Sequence, residues 1–175
     1  MLVCCGKENV NDRPSPEEPG KEEPKPEVNK PEICFKFDIE PYVIASSEDS
    51  VECAWTEGDA VGVYAYDAES DELVFGNKKL TFDGSNWVGD KLCWEKESLK
   101  FCAYYPFDEN NTDPTAISVN VKEDQSSEND YRLSDFLVAR NEEGVKIGSD
   151  VKLEFRHEFA MVQVEVPKSK YWNID

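Results

Sequence analysis

Apolar and polar residues alternate in short runs along most of the chain, and this period-2 grain limits the folds open to it. Ile33, Phe35, Phe37 and Ile39 alternate with Cys34, Lys36 and Asp38. Val61, Val63 and Ala65 repeat the pattern after the turn-like Glu57-Gly58-Asp59, and Leu99, Phe101, Ala103 and Tyr105 repeat it as far as Pro106. Val151, Leu153 and Phe155 follow, and Met161, Gln163 and Glu165 alternate with Val162, Val164 and Val166 before Pro167. Successive side chains of a strand point to opposite faces, so such runs read as half-buried strands. About eight to ten strand candidates can be counted, separated by turn residues such as Asp83-Gly84. The one weak helical pattern is Leu133 to Ala139, where a short irregular segment is the alternative. The chain is therefore expected to be all-β, an antiparallel β-sandwich.

Ahead of the first run the grain is different. Six of the ten prolines (Pro14, Pro16, Pro19, Pro24, Pro26 and Pro31) fall between residues 14 and 31 among Glu and Lys, with no aromatic residue. Proline fixes φ and removes amide donors, so residues 6–31 read as a disordered, extended tether reaching on the order of 80 Å at about 3.1 Å per residue. The remaining residues, 32–175, make one domain, in keeping with a length of 175.

The formal charge is -19, from 19 basic and 38 acidic residues. The tether holds five basic and seven acidic residues, which leaves 14 basic and 31 acidic in residues 32–175. The acidity thus belongs to the folded part. It disfavours nucleic acid and anionic membrane surfaces as partners. Contacts with other proteins must rest on shape, apolar burial or backbone pairing.

Met1-Leu2-Val3-Cys4-Cys5-Gly6 is a short apolar stub that ends in cysteines and runs straight into the tether. That is the layout of the end of a bacterial lipoprotein signal, which makes Cys5 the expected lipidation site, although Cys4 stands where a smaller residue is usual. The alternative is a cytosolic chain whose N-terminal cysteine pair has no such role. No other segment approaches the roughly 18 apolar residues needed to span a bilayer, so a lipid anchor is the only expected membrane contact.

The inventory is poor in catalytic chemistry. The single histidine, His157, sits in the strand-like Phe155-Arg156-His157-Glu158-Phe159 and reads as structural. No metal, cofactor or catalytic residue is expected, and acidic pairs carry no information among so many carboxylates. Asp108-Glu109-Asn110-Asn111-Thr112-Asp113 has oxygen ligands at alternate positions but lacks the glycine of a calcium loop, and reads as a solvated loop. Cys34, Cys53, Cys93 and Cys102 contain no CxxC pair; they are either buried thiols in strands or, in an exported protein, up to two disulfides. Trp55, Trp87, Trp94 and Trp172 are candidate sugar-stacking residues, with core packing as the alternative.

Several of these residues carry a family resemblance. Trp55-Thr56-Glu57-Gly58-Asp59-Ala60-Val61-Gly62-Val63-Tyr64 resembles the W-x-x-G-D-x-I-G-V-Y signature of the fimbrillin-like family, the type V pilins and related outer-membrane lipoproteins of Bacteroidota. Leu80-Thr81-Phe82 with Asn86-Trp87 is similar to its x-T-x-x-G-x-x-W hairpin. Cys93-Trp94 through Phe101-Cys102-Ala103-Tyr104-Tyr105-Pro106 is similar to Y-W-P…F-x-A-Y-Y-P, with Glu95 in place of the usual proline. Asp135-Phe136-Leu137-Val138-Ala139 resembles D-L-L-x-A, and Val151 through Ala160 resembles V-x-L-x-F-x-H-x-L-A.

The resemblance covers about residues 32 to 166. It implies a transthyretin-like β-sandwich, normally the first of two, with the second absent here. It also implies a surface-anchored fimbrial or adhesion subunit at the outer membrane, not an enzyme, assembled with other fimbrial subunits by strand exchange or β-edge pairing. A host protein or glycan is a further possible partner. The alternative function is a monomeric surface lipoprotein that binds glycans through exposed aromatics. Some members of the family are matured by an arginine-specific protease, yet no Lys or Arg lies between Lys36 and Lys78.

Overall fold

The computed structural model describes residues 30–43, 50–51 and 53–160. Cys5, nearly all of the tether, Trp172 and the expected strand Met161 to Val166 lie outside the described residues. Nine strands are present among those described: β1 (Phe35–Ile39), β2 (Tyr42–Val43), β3 (Ser50–Val51), β4 (Ala60–Asp67), β5 (Leu73–Phe82), β6 (Trp87–Gly89), β7 (Ser98–Tyr105), β8 (Leu137–Lys146) and β9 (Val151–His157). The all-β expectation is borne out, and the runs beginning at Ile33, Val61, Leu99 and Val151 supply β1, β4, β7 and β9.

Seven strands form one sheet in the order β1-β9-β8-β7-β4-β5-β6, while β2 and β3 pair separately. Six of the seven are joined by antiparallel ladders. The exception is β1, which lies parallel to β9 with Phe35 opposite Val151, Phe37 opposite Leu153 and Ile39 opposite Phe155. β9 in turn shares a ladder with β8 only at Leu137/His157 and Val138/Arg156. It leaves one layer at that corner and joins the other, so the sheet curls into a sandwich.

The aromatic core records the curl. Phe37 of β1 and Trp87 of β6 belong to opposite edges of the sheet, yet their rings are 4.9 Å apart. Phe35 reaches Phe101 of β7 at 5.6 Å, and Trp55 packs edge-on against Trp87, Tyr105 and Phe155 at 5.0 to 5.6 Å. Val61, Val63, Ala65, Leu99, Val151 and Phe155 have no exposed surface. Edge-to-face pairs of this kind add about 0.5–1.5 kcal/mol each to their area burial.

The Trp55-Gly58-Asp59 motif fastens the start of β4. Gly58 takes φ +95°, a left-handed turn that glycine accepts without strain, and donates to the Phe82 carbonyl at 2.9 Å. Asp59 accepts from the Thr56 amide at 2.7 Å and the Tyr105 hydroxyl at 3.1 Å, and pairs with Arg132. Burial, and then Asp59, push the Tyr105 hydroxyl well above the ordinary phenol range.

The other face of β4 and β7 holds a second small core that the sequence pattern did not reveal. Tyr64, Cys102 and Tyr104 are buried there, with Ile117, Phe136 and Val138 packed against them. The Tyr64 hydroxyl donates to the Asn111 carbonyl at 2.6 Å, and the Tyr104 hydroxyl lies 2.7 Å from Asn77 Oδ1. Asn111 exchanges two bonds with the Ser118 backbone at 2.9 and 3.0 Å, so the acidic loop is organised by its own side chains and covers the tyrosines.

A helix occurs as α1 (Glu128–Arg132), not at Leu133 to Ala139. Ser127 caps it by accepting from the Asp130 amide at 3.0 Å, with Glu128 and Asp130 at the positive end of the helix. Leu137 to Ala139 instead opens β8, because the ladder to Tyr105, Tyr104 and Ala103 outweighs a marginal helical pattern.

Gly62 lies directly opposite Tyr104, and a Cβ there would intrude into the Tyr104 ring and stand 2.7 Å from Asn77 Oδ1. Gly62→Ala is expected to cost about 1–3 kcal/mol through overpacking. Urea titration followed by Trp fluorescence checks it, and an unchanged midpoint would contradict the close approach.

Candidate assembly site

The segment from Pro31 to Glu40 joins two rims of the curled sheet. At its start, Ile33 donates to the Leu92 carbonyl at 2.8 Å and the Trp94 amide donates to the Pro31 carbonyl at 3.0 Å, around the antiparallel bridge Glu32/Cys93. It then turns its even-numbered backbone groups to β9: Val151 donates to the Cys34 carbonyl, and Glu40 donates to the Phe155 carbonyl, both at 2.8 Å. On the opposite side Trp55 Nε1 donates to the Phe37 carbonyl at 2.9 Å. One extended segment thus satisfies backbone groups of Leu92–Trp94 and of β9, and covers the aromatic core between them.

The side chains follow the same division. Ile33 and Phe37 are buried, and each such burial is worth about 1.5–3 kcal/mol. Lys36 faces out and donates to Asp150 Oδ2 at 2.6 Å. That hydrogen bond raises the Lys36 ammonium and holds the Asp150 carboxyl below the usual carboxylate range. Lys30 pairs with Glu95 beside the first rim. Such exposed pairs contribute little to stability.

A polar cluster fixes the end of the segment. His157 Nε2 is 3.0 Å from the Glu40 carbonyl, and Nδ1 is 3.1 and 2.9 Å from the two oxygens of Asp135. The Tyr42 ring stacks on the imidazole at 3.6 Å and 23°, and its hydroxyl donates to Asp135 Oδ1 at 3.0 Å. Burial, then Asp135, raise the Tyr42 hydroxyl far above the ordinary phenol range, so it stays neutral. Arg156 adds an exposed ion pair to the Glu40 side chain at 3.2 Å. Beside the cluster is a cavity of about 240 Å³. Sequence reasoning placed His157 as a structural strand residue, and it ends β9 in that role; it did not foresee Tyr42 or Asp135 as its partners.

The other candidates are dispersed. Trp94 is buried in the core, and Trp55 and Trp87 pack against it partly buried. Cys34, Cys93 and Cys102 are free thiols, but of these only Cys102 is buried, which corrects the expectation of buried strand thiols. Cys34 and Cys93 lie next to Ile33, Leu92 and Trp94, whose side chains take the inward positions. Among the described residues no group of His, Cys, Asp and Glu is arranged to hold a metal.

Comparison with known proteins matches residues 46–175 to the model of a family described as fimbrillin-like. A curated relative from Bacteroides ovatus, provisionally named fimbrium tip subunit Fim1C, is 25% identical over 134 residues, covering 67% of this chain and 25% of its own. A crystal structure of a fimbrial protein from Bacteroides ovatus superposes with a TM-score of 0.55 at 19% identity, over 73% of this chain and 28% of that one. A second, of a provisionally named cell adhesion protein from the same organism, gives 0.57 at 19% identity over 73% and 52%. The chain spans about a quarter of the length of the curated relative. With most of its length matched by the family model and its fold shared with these structures, the chain belongs to the fimbrillin-like family.

Proposed function

We propose that this chain is a structural subunit of a cell-surface fimbria, anchored at the outer membrane through lipidated Cys5 and the tether of residues 6–31, and joined to neighbouring subunits by exchange of the β1 strand. The observation that carries this is the closing role of Pro31–Glu40: one short parallel edge strand covers the core and satisfies two rims. If it leaves, β9 and Leu92–Trp94 are left with unpaired backbone groups beside an apolar groove. Such an edge accepts another strand by main-chain pairing, with alternate side chains setting specificity. Family membership supports the role as a structural and not a catalytic one. Any cut that frees β1 at residues 44–49 needs a protease that does not require Lys or Arg, since that stretch has neither.

Protein extracted from outer membranes is expected to run as a ladder of multimers in detergent without boiling. A labelled peptide of residues 32–42 should enter Phe37→Ala faster than wild type, because losing the buried ring weakens the resident strand by about 3–5 kcal/mol. A protein that stays monomeric and excludes the peptide in both forms would refute strand exchange. Metabolic labelling with palmitate is expected to mark the wild type and to vanish in Cys5→Ala; label that persists in the variant would rule out Cys5 as the anchor.

A further inference from the structure

We propose that β9 is charge-matched to a different strand from the one it holds. The strand that fits this groove best carries Lys or Arg where β1 carries Asp38, and so comes from another kind of subunit and not from a second copy of this chain. The proposal rests on the strand-exchange reading for its purpose, while the charge match itself is measurable in the closed protein.

The parallel register lines up the outward side chains of the two strands. Lys36 stands opposite Lys152, and Asp38 stands opposite Glu154. All four are exposed. Like charges directly across a ladder weaken it, and neighbouring strands lie only about 5 Å apart. The two ends of the row find relief: Lys36 turns aside to Asp150 at 2.6 Å, and Glu40 reaches Arg156 at 3.2 Å. The middle finds none. Among the described residues Asp38, Lys152 and Glu154 form no ion pair. A cation in place of Asp38 would meet Glu154 directly, with Arg156 already neutralised by Glu40 and Lys152 a diagonal step of roughly 8 Å away.

An exposed pair is individually weak, yet exchange gives it a decisive place. The process compares two strands in one groove. The backbone bonds to Val151 and Phe155, the Trp55 indole bond and the apolar sites now filled by Ile33 and Phe37 are open to any extended strand of the right period. Those contributions cancel between the resident and the newcomer, and the outward row does not. A second copy's β1 in the same register brings Asp38 to Glu154 again and gains nothing. A strand with a basic residue there gains at that position, and it is also drawn at long range to a domain with 31 acidic and 14 basic side chains. The partner is therefore an extended segment, apolar on alternate residues, with Lys or Arg opposite Glu154 and an acid opposite Arg156.

Charge reversal in the full chain reads the mismatch without any assembly. The observable is hydrogen–deuterium exchange of the Val151 amide, which donates to the Cys34 carbonyl of the closing segment. Asp38→Lys and Glu154→Lys are each expected to raise its protection about three- to fivefold at low salt, because each turns a like pair into an opposite one. The double variant restores a like pair and should fall back to near the wild-type value. Relief of the overall negative charge would add up in the double variant, so the loss of additivity isolates the pair. Additive gains, or no gain from either change, overturn the proposal. Labelled peptides of residues 32–42, unchanged and with Asp38→Lys, are then offered to the Phe37→Ala chain. The Asp38→Lys peptide should bind about three- to fivefold more tightly, and the preference should reverse when the chain also carries Glu154→Lys. Equal capture of the two peptides overturns the charge match and leaves strand exchange standing. Coupling in the closed chain with neither peptide taken up leaves the charge match standing and refutes exchange instead. Should Glu154→Lys fail to fold, the two peptides on the Phe37→Ala chain decide alone.

Discussion

The molecule depends on the closure of a curled sheet by a strand that pairs in parallel with its last described member. Without β1, the ring of Trp87 on one edge and Phe155 near the other would meet solvent, and β9 would present a free row of backbone groups. Closure is economical because a single ten-residue stretch does both tasks. Its odd positions point Ile33, Phe35, Phe37 and Ile39 at the core, and its backbone pairs first with Leu92–Trp94 and then with β9. Buried backbone groups must be paired. Whatever segment occupies this place must therefore be extended, apolar at alternate positions and free of proline at the donating positions.

The second core would keep the rest of this small sandwich together during the proposed strand exchange. Tyr64, Cys102 and Tyr104 are covered by the loop around Asn111 and not by β1, so β4, β7 and β8 are held together from the face that strand departure does not touch. Gly62 lets the Tyr104 ring lie flat across β4 and tightens that same half. Stability is thereby uneven across the fold: a two-faced centre, and an edge whose hold is concentrated in a few side chains and in the cluster at Glu40. Elements that move are generally drawn from the less stable end of a structure.

The strands themselves were readable because one face is buried and period-2 alternation records it directly, as in Val151, Leu153 and Phe155. What alternation cannot carry is which strands become neighbours. The parallel pairing of β1 with β9 links residues more than a hundred positions apart, and no local signal distinguishes it from an antiparallel edge. Tyr64 and Tyr104 fall on the face opposite the alternating apolar residues of β4 and β7; their burial depends on a loop whose composition looks solvated. Leu133 to Ala139 misled for a related reason, since its apolar run serves the ladder to β7, and the capping chemistry that starts the true helix lies at Ser127. The polar cluster was invisible for want of proximity in sequence: Glu40, Tyr42, Asp135 and His157 come together only when β9 crosses between layers.

The acidity of the folded part bears on the proposed assembly. Residues 32–175 carry 31 acidic and 14 basic side chains, so two copies repel at a distance, with screening confining the effect to about 8–10 Å at ordinary salt. Within the closing segment, however, the charged residues Lys36 and Asp38 occupy the outward positions, and the inward ones are apolar. The inward side of an incoming strand would meet backbone donors, backbone acceptors and aromatic rings, none of which has a sign to repel. Long-range charge then governs how often copies approach and at what salt, while the groove decides by period and shape, and β9 by its outward row of charges, which segment stays. Electrostatics of this kind tunes encounter more than affinity. A strongly one-signed surface and a strand-exchange joint are therefore compatible, because they act at different distances and on different parts of the same strand.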